Sequence, residues 1–332
     1  MSDDPIRIGI LGAARIAPMA LVRPAREVRG VAVTTVAARD PQRAQAFATK
    51  HGIPRVLPSY EALVNDPEID AVYNPLPNSL HCEWTIRALE AGKHVLCEKP
   101  IASNAAEAER MATAARQAAR VLVEAFHWRY HPLAARMKAI IDAGEVGTVR
   151  HIEAHFCIPL LLPGDIRYRL DLAGGATMDT GCYAISILRF LAGAEPQVIH
   201  AEARLSSPGV DRSMVADFAF ADGRTGRITC ALLSPVLIRA SARVHGDRGE
   251  LFVINPVVPH FYHRLTLRND VGRRTERLRG DATYTHQLRA FADAVRSGTW
   301  VPTNPDDAIA NMRVIDAVYT KAGLPLRGLI KT

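Results

Sequence analysis

Over its first 125 residues the chain alternates continuous apolar runs with segments patterned as helices. The runs IRIGIL, VAVTTVA, DAVYN, KHVLCE and RVLVEAF lack the every-second-residue polarity of a half-exposed strand, so they read as strands covered on both faces. Between them lie PQRAQAFATKHG, NSLHCEWTIRALEAG and SNAAEAERMATAARQAA. Gly52 and Gly92 stand where a helix end favours a left-handed residue, and Ser103 or Asn104 offers an N-cap. Repeated β-α-β units of this length predict an α/β Rossmann domain, a parallel sheet with helices on both faces.

After HPLAARMKAIIDAGE, with Pro132 near a helix start and Gly144 at its end, the texture changes. VRHIEAHFCI, QVIHAEARL, MVADFAF, TGRITCALL, RASARVHG, GELFVIN and HRLTLR follow one another with short turns, broken once by the helical block GATMDTGCYAISILRFLAG. Strands in succession without crossover helices predict an α+β domain with a large, mostly antiparallel open sheet. Two amphipathic helices close the chain, Tyr284 to Val295 and Pro305 to Lys321. The expected division is a dinucleotide-binding domain over 1–126 and a substrate-binding and oligomerisation domain over 127–332, with the last helices able to pack back on the first. A length of 332 residues suits two domains at roughly 100 to 200 residues each.

Apolar residues make up 48% and charged residues 23%, an ordinary globular composition. No uncharged apolar run approaches the roughly 20 residues that span a bilayer, and MSDDPIRIGILG opens on acids rather than a basic leader. The expectation is a cytoplasmic protein with no membrane partner. Cys82, Cys97, Cys157, Cys182 and Cys230 are odd in number and scattered, which predicts reduced, buried thiols. Net charge is +7, and six arginines crowd between Arg264 and Arg279. That stretch alternates like an edge hairpin, where charge discourages sheet-to-sheet association. Without a nucleic-acid motif or an aromatic platform, no nucleic-acid partner is expected.

The first strand runs into ILGAARIA, where the dinucleotide fingerprint falls on Gly12, Ala14 and Ala17. Its first glycine is present, its last position holds the permitted alanine, and Ala14 departs from the pattern. The turn Gly12, Ala13, Ala14, Arg15 and Ile16 is therefore the candidate pyrophosphate cradle. The second strand finishes at AARD, where NAD-preferring folds place an acid against the ribose. Ala38 occupies that place and Arg39 follows, which leaves room for a 2′-phosphate and supplies a guanidinium to hold it. The expected cofactor is NADP(H). NAD(H) is the alternative if the strand runs on to Asp40, and equal catalytic efficiency with NAD would overturn the preference.

In HVLCEKPIA a strand ends in Glu98, Lys99 and Pro100, at the carboxyl edge where open α/β sheets bind ligands. In GGATMDTGCY, Asp179 and Tyr183 are four apart and share a helix face. The amino-terminal turn, NPLPNSLH, EKP, FHWRYHP and GGxxxDxGxY, in this order over nearly the whole chain, resemble the glucose-fructose oxidoreductase, inositol dehydrogenase and rhizopine catabolism family, known as Gfo/Idh/MocA. Within it the chain resembles the NADP-dependent dihydrodiol dehydrogenases and D-xylose dehydrogenases. The resemblance implies that Lys99 is the catalytic lysine, that Asp179 belongs to the second-domain motif, and that Tyr183 stands where many members have histidine. It places Pro75, Leu76, Asn78 and His81 along the nicotinamide side with Glu98 and Lys99 beside them, and Arg129 and His131 near the substrate mouth. Arg167 and Tyr168, in LLPGDIRYRLDLAGG, read as lining a pocket for a polyol, sugar or dihydrodiol. His127 and His131 have the spacing of a metal pair, but Pro132 follows and no carboxylate accompanies them, so no metal is expected.

The side chains suit hydride transfer without appeal to kinship. Reducing a carbonyl requires a proton donor to the forming alkoxide, and oxidising the alcohol requires that proton to leave. A tyrosine, with an ordinary pKa of about 10, is a loaded acid near neutrality, and a lysine within about 4 to 6 Å brings that value down. A non-catalytic sensor that binds cofactor and sugar would need neither Lys99 nor Tyr183. A homodimer or homotetramer through the second sheet is expected, and a monomer by light scattering would refute it.

Overall fold

The computed structural model describes residues 4–162, 164–233 and 235–328. The chain divides into two compact units, Met1–His127 with Tyr284–Ile309, and Trp128–Thr283 with Ala310–Thr332.

The first unit is built on β1 (Ile6–Leu11), α1 (Arg23–Glu27), β2 (Val31–Ala37), α2 (Pro41–His51), β3 (Arg55–Leu57), α3 (Tyr60–Val64), β4 (Ala71–Asn74), α4 (Asn78–Glu90), β5 (His94–Cys97), α5 (Ala105–Ala118) and β6 (Leu122–Glu124). Its strands pair in the order β3-β2-β1-β4-β5-β6, every pair parallel. The strand order reverses between β1 and β4, the point at which doubly wound sheets open a ligand crevice. The apolar runs are strands because both faces are covered: Ile8, Ile10, Val36, Val72, Val95 and Val123 are buried. Asn104 caps α5, accepting from the Glu107 N–H at 2.9 Å. Most of the helix Thr283–Ser297 belongs to this unit, with Leu288 and Phe291 in one core with Ile8 and Ile10.

The second unit begins with α6 (Pro132–Asp142) and β7 (Val149–Cys157), followed by α7 (Cys182–Ala192) and the strands β8 (Gln197–Ser207), β9 (Val210–Ala219), β10 (Thr225–Ala231), β11 (Arg239–Gly246), β12 (Gly249–Ile254), β13 (Arg264–Asn269) and β14 (Gly272–Glu276). The helix Thr283–Ser297 is α8, and α9 (Pro305–Lys321) ends in this unit. The eight strands lie in the order β14-β13-β12-β11-β7-β10-β9-β8, antiparallel except for β7 with β10. The arginine-rich stretch is the edge hairpin β13–β14. Arg136 of α6 grips Glu276 with two hydrogen bonds of 2.7 Å, which holds that carboxyl down at about 2.

The structure adds elements that the pattern reading passes over. β3 is a three-residue edge strand with half-buried side chains, too short for an apolar run, and α3 is a single turn. No described helix is long and apolar enough to cross a membrane. All five cysteines are buried and free.

Candidate active site

At the end of β1, Gly12 turns the chain with φ of +86°, and a Cβ there would lie 3.1 Å from Leu76 Cδ2. Both the angle and the approach require glycine. The Gly12 N–H donates to the Ala37 carbonyl at 2.6 Å, which joins the ends of β1 and β2. Ala13 is buried, Ala14 and Ile16 are half-buried, Arg15 is exposed, and Ala17 packs fully inside. The methyl at Ala14, where the fingerprint has glycine, is therefore accommodated within a well-formed turn.

β2 stops at Ala37, so Ala38 is the buried residue just beyond it and Arg39 is exposed. Asp40 is the N-cap of α2, one carboxylate oxygen accepting from the N–H groups of Gln42 at 2.9 Å and Arg43 at 3.2 Å. The Arg43 guanidinium donates to the Ala13 carbonyl at 3.0 Å, and Arg39 lies close to the Tyr60 hydroxyl. Burial pushes the Tyr60 phenol up while both arginines oppose it. Two guanidinium groups and a phenol thus gather beside the Gly12 turn, while the acid of AARD is engaged in capping a helix. This donor set fits a ribose that carries a phosphate.

The EKP turn follows β5. Glu98 is buried and accepts from the Tyr73 hydroxyl at 2.6 Å. Burial, then Glu98, hold the Tyr73 phenol well above its ordinary value, so it remains a donor. His81 is also buried, with Nε2 2.7 Å from the Leu76 carbonyl and Nδ1 2.9 Å from the Pro100 carbonyl. The Ile101 N–H donates to the buried Glu124 carboxylate at 2.8 Å. Buried polar groups thus hold the turn on both sides of Lys99, which is itself half-buried between Glu98 and Pro100. His81 is buried with each ring nitrogen facing a backbone carbonyl, of which the neutral imidazole can donate to one. Leu76 packs beside Gly12, Pro75 is buried, and Asn78 opens α4 half-buried.

In the second unit, Asp179 lies in a π-helical turn, Thr177–Gly181, that leads into α7, where Tyr183 is the second residue. The two straddle a change of helix type rather than lying on one regular helix; such π turns recur at functional positions. Tyr183 is 5% exposed, its ring edge-on to Phe156 at 5.4 Å. Arg167 Nε lies 2.9 Å from Asp179 Oδ2 and Nη1 lies 3.2 Å from Asp165 Oδ1. Asp179 is the main reason the Arg167 guanidinium is held further above its ordinary value. Tyr168 donates its hydroxyl to the Leu160 carbonyl at 2.8 Å. The other two pocket candidates do structural work here: Arg129 stacks on Phe190 at 4.4 Å, and His131 caps α6 by accepting from the Leu133 N–H at 3.1 Å.

Residues 6–126 match the family model described as an oxidoreductase family with an NAD-binding Rossmann fold, and residues 134–252 match the Gfo/Idh/MocA C-terminal domain. The chain is 35% identical over 315 residues to D-xylose 1-dehydrogenase (NADP(+)) 2 of Haloferax volcanii, covering 95% of this chain and 96% of that one. It belongs to the Gfo/Idh/MocA oxidoreductase family. Trans-1,2-dihydrobenzene-1,2-diol dehydrogenase of Danio rerio is 36% identical over 223 residues, 67% of this chain and 66% of that one. Among solved structures, a 3-ketoreductase from Actinomadura kijaniata in complex with NADP and TDP-benzene aligns with a TM-score of 0.89 and 31% identity, covering 96% of this chain and 98% of that one.

Within this Gfo/Idh/MocA chain, Arg43 and Tyr60 beside the Gly12 turn and Tyr73 and Glu124 around the EKP turn are not singled out by the sequence. Polar residues inside the apolar runs DAVYN and RVLVEAF were the available signal for the last two.

The buried imidazoles make acid stability testable. Burial holds His81 down to about 4, against the two carbonyls that favour its protonation. Between pH 6.5 and 4 the unfolded chain therefore binds the proton that the folded chain refuses, so this contribution is complete above pH 6.5 and is lost as pH falls through that window. From pH 7 to pH 5 the expected loss is about 2 kcal/mol. Urea unfolding at both pH values should show that pH dependence shrinking by this amount in His81→Gln, whatever the variant's absolute stability. An equal pH dependence in both proteins would contradict the assignment.

Proposed function

We propose that the protein is an NADP(H)-dependent oxidoreductase that moves a hydride between nicotinamide C4 and a secondary alcohol or carbonyl of a sugar, polyol or trans-dihydrodiol. Lys99 and Tyr183 are assigned the proton and the developing oxyanion, with Asp179 as the third residue of the proposed site. The observation that carries this reading is the EKP turn: a lysine at the carboxyl end of a parallel strand, with buried Tyr73 on the Glu98 carboxylate and buried His81 and Glu124 on the backbone that follows. Support also comes from the Actinomadura 3-ketoreductase, of which a tyrosine-to-phenylalanine and a lysine-to-alanine variant have been solved with TDP-benzene and NADP. Those two positions stand 84 residues apart in that protein, the same separation as Lys99 and Tyr183.

When bound, the cofactor supplies or accepts the hydride. Gly12 and Ala13 give it a close backbone approach, and Arg39 with Arg43 hold the adenosine phosphate. For reduction, the Tyr183 hydroxyl gives a proton to the substrate oxygen while the Lys99 ammonium stabilises the charge that forms there. Arg167 pairs with the Asp179 carboxylate. The Arg167 and Tyr168 loop suits a hydroxyl-rich substrate, and turnover with NADP(H) against sugars, inositols, ketosugars and trans-dihydrodiols is the direct test. No turnover on any of these classes would remove the proposal.

Cofactor choice has its own measurement. A guanidinium-to-phosphate hydrogen bond contributes roughly 1.5 to 3 kcal/mol. Arg39→Ala and Arg43→Ala are therefore each expected to raise the NADPH dissociation constant by about 10- to 100-fold, with NADH binding nearly unchanged. Equal weakening of both cofactors would mean that neither arginine reads the 2′-phosphate. The five buried thiols suit a reducing cytoplasm. A second copy of the chain is proposed as the partner of the open sheet face, on which Asp217, Arg227, Glu153 and Arg243 alternate in charge across neighbouring strands.

A further inference from the structure

A buried ionic cluster lies at the root of the segment that carries Asp179 and Tyr183. Asp211, in β9, is fully buried. Its Oδ2 accepts from the Thr177 N–H and from the Thr177 hydroxyl, both at 2.7 Å. Its Oδ1 accepts from the Tyr319 hydroxyl at 2.9 Å and from Arg327 Nη2 at 3.0 Å. Arg327 is 1% exposed; its Nε donates to the Gly174 carbonyl at 2.8 Å, its Nη1 to the Pro325 carbonyl at 2.9 Å, and its guanidinium lies 4.0 Å from the Tyr319 ring centroid. Gly175 runs through the middle with φ of +134°, and a Cβ on it would fall 2.1 Å from Asp211 Oδ1. The turn and the cluster are thus fitted to each other, and no other residue can replace that glycine in place.

A buried ion pair is weak evidence for stability, because two apolar side chains of similar volume often do as well without the cost of desolvation. Direction is what the charged version adds. One carboxylate and one guanidinium together fix the Gly174 carbonyl and the Thr177 amide and hydroxyl, immediately before the π turn. The Asp179 N–H donates to the Gly175 carbonyl at 3.1 Å, so the backbone these groups hold bears the next one.

We propose that Asp211, Tyr319 and Arg327 are positioning residues that, through the turn that carries Asp179, set the orientation in which the Tyr183 hydroxyl meets the substrate. The segment after α9 is then part of the catalytic apparatus although it touches no substrate. This rests on the reading of Tyr183 as the proton donor. A misplacement on the order of 1 Å at a reacting group can cost about 100-fold in rate, so modest loosening at this root is measurable.

The test uses the full chain and two mild variants. Tyr319→Phe deletes a single hydroxyl and keeps the ring, and Arg327→Lys keeps the charge while losing the fork. Each is expected to lower kcat for carbonyl reduction at least tenfold, per molecule able to bind NADPH and well below the Tm. The NADPH dissociation constant should stay within about twofold of wild type. In the Tyr183→Phe background, Tyr319→Phe should lower kcat no further, because the group that it positions is gone. A purely structural role predicts a lower Tm with wild-type kcat per NADPH-binding molecule, and that result would overturn the proposal, as would a full tenfold loss added on top of Tyr183→Phe. If Arg327→Lys does not fold, Tyr319→Phe decides alone. Full activity in Tyr183→Phe itself would instead sink the assignment of the proton donor, so the two failures are distinct.

Discussion

Replacing Lys99 with alanine is expected to lower kcat for carbonyl reduction by roughly 10²- to 10³-fold, the loss seen when one preorganised donor to a developing oxyanion is deleted. In the proposed chemistry the ammonium has two roles, as a hydrogen-bond donor to the substrate oxygen and as a positive charge that favours ionisation of the phenol acting on the same oxygen. Neither role contributes to the backbone of the turn. Glu98 is held by Tyr73, Pro100 by His81 and Ile101 by Glu124, and none of these bonds uses the Lys99 side chain. Because Lys99 is half-buried rather than a core residue, its truncation should leave the fold and cofactor binding close to wild type. Lys99→Arg should not restore the rate, since a planar fork cannot replace a compact ammonium at one oxygen. Steady-state kinetics at saturating NADPH, with NADPH binding followed by its fluorescence, separates the two quantities. Unchanged turnover would remove Lys99 from the mechanism, and a large loss of NADPH binding would make it a cofactor ligand instead.

The parts of the fold that were legible in the sequence are those written as long, uniform patterns. Runs such as VAVTTVA are covered on both faces and carry no polar alternation, so they declare a parallel sheet, whereas strands following one another without helices declare an antiparallel one. β3 is missed for a physical reason: three half-buried residues at a sheet edge need no apolar run. The candidate site divides in the same way. Lys99, Asp179, Tyr183 and Arg167 stand out because chemistry-bearing side chains interrupt apolar or glycine-rich segments. Their supports do not, since each is brought in from a distance; Arg327 lies 116 residues beyond the Asp211 that it grips. A sequence also does not say which way a ring points. His81 and His131 were expected to line the site, and in the structure the His81 ring nitrogens face two backbone carbonyls while His131 caps a helix. Asp40 shows a signal present but underused: the acid is followed by Pro41, and an acid before a proline at the first helical position is the pattern of an N-cap.

Changing Tyr183 to phenylalanine should lower kcat by about 10²- to 10⁴-fold, the range for removing a positioned acid or base. The variant is conservative by design. It keeps the ring that stands edge-on to Phe156 and removes one oxygen, so Tm and NADPH binding should move little. The stronger test is the pH dependence. Reduction uses the protonated phenol, so its rate should fall as pH rises through the pKa of that group; oxidation uses the phenolate, so its rate should rise through the same pKa. Both limbs come from one titration and should flatten together in Tyr183→Phe. Lys99 enters here as well, because a cation nearby lowers a phenol's pKa from its ordinary value of about 10. Removing that cation should move the limb that survives in Lys99→Ala toward higher pH. A limb unmoved in Lys99→Ala would mean that the two side chains do not share a substrate, whereas a limb that persists in Tyr183→Phe would place the titrating group elsewhere in the chain. A shifted limb in the first variant and a vanished one in the second are expected together, since one phenol and one ammonium acting on the same oxygen produce both.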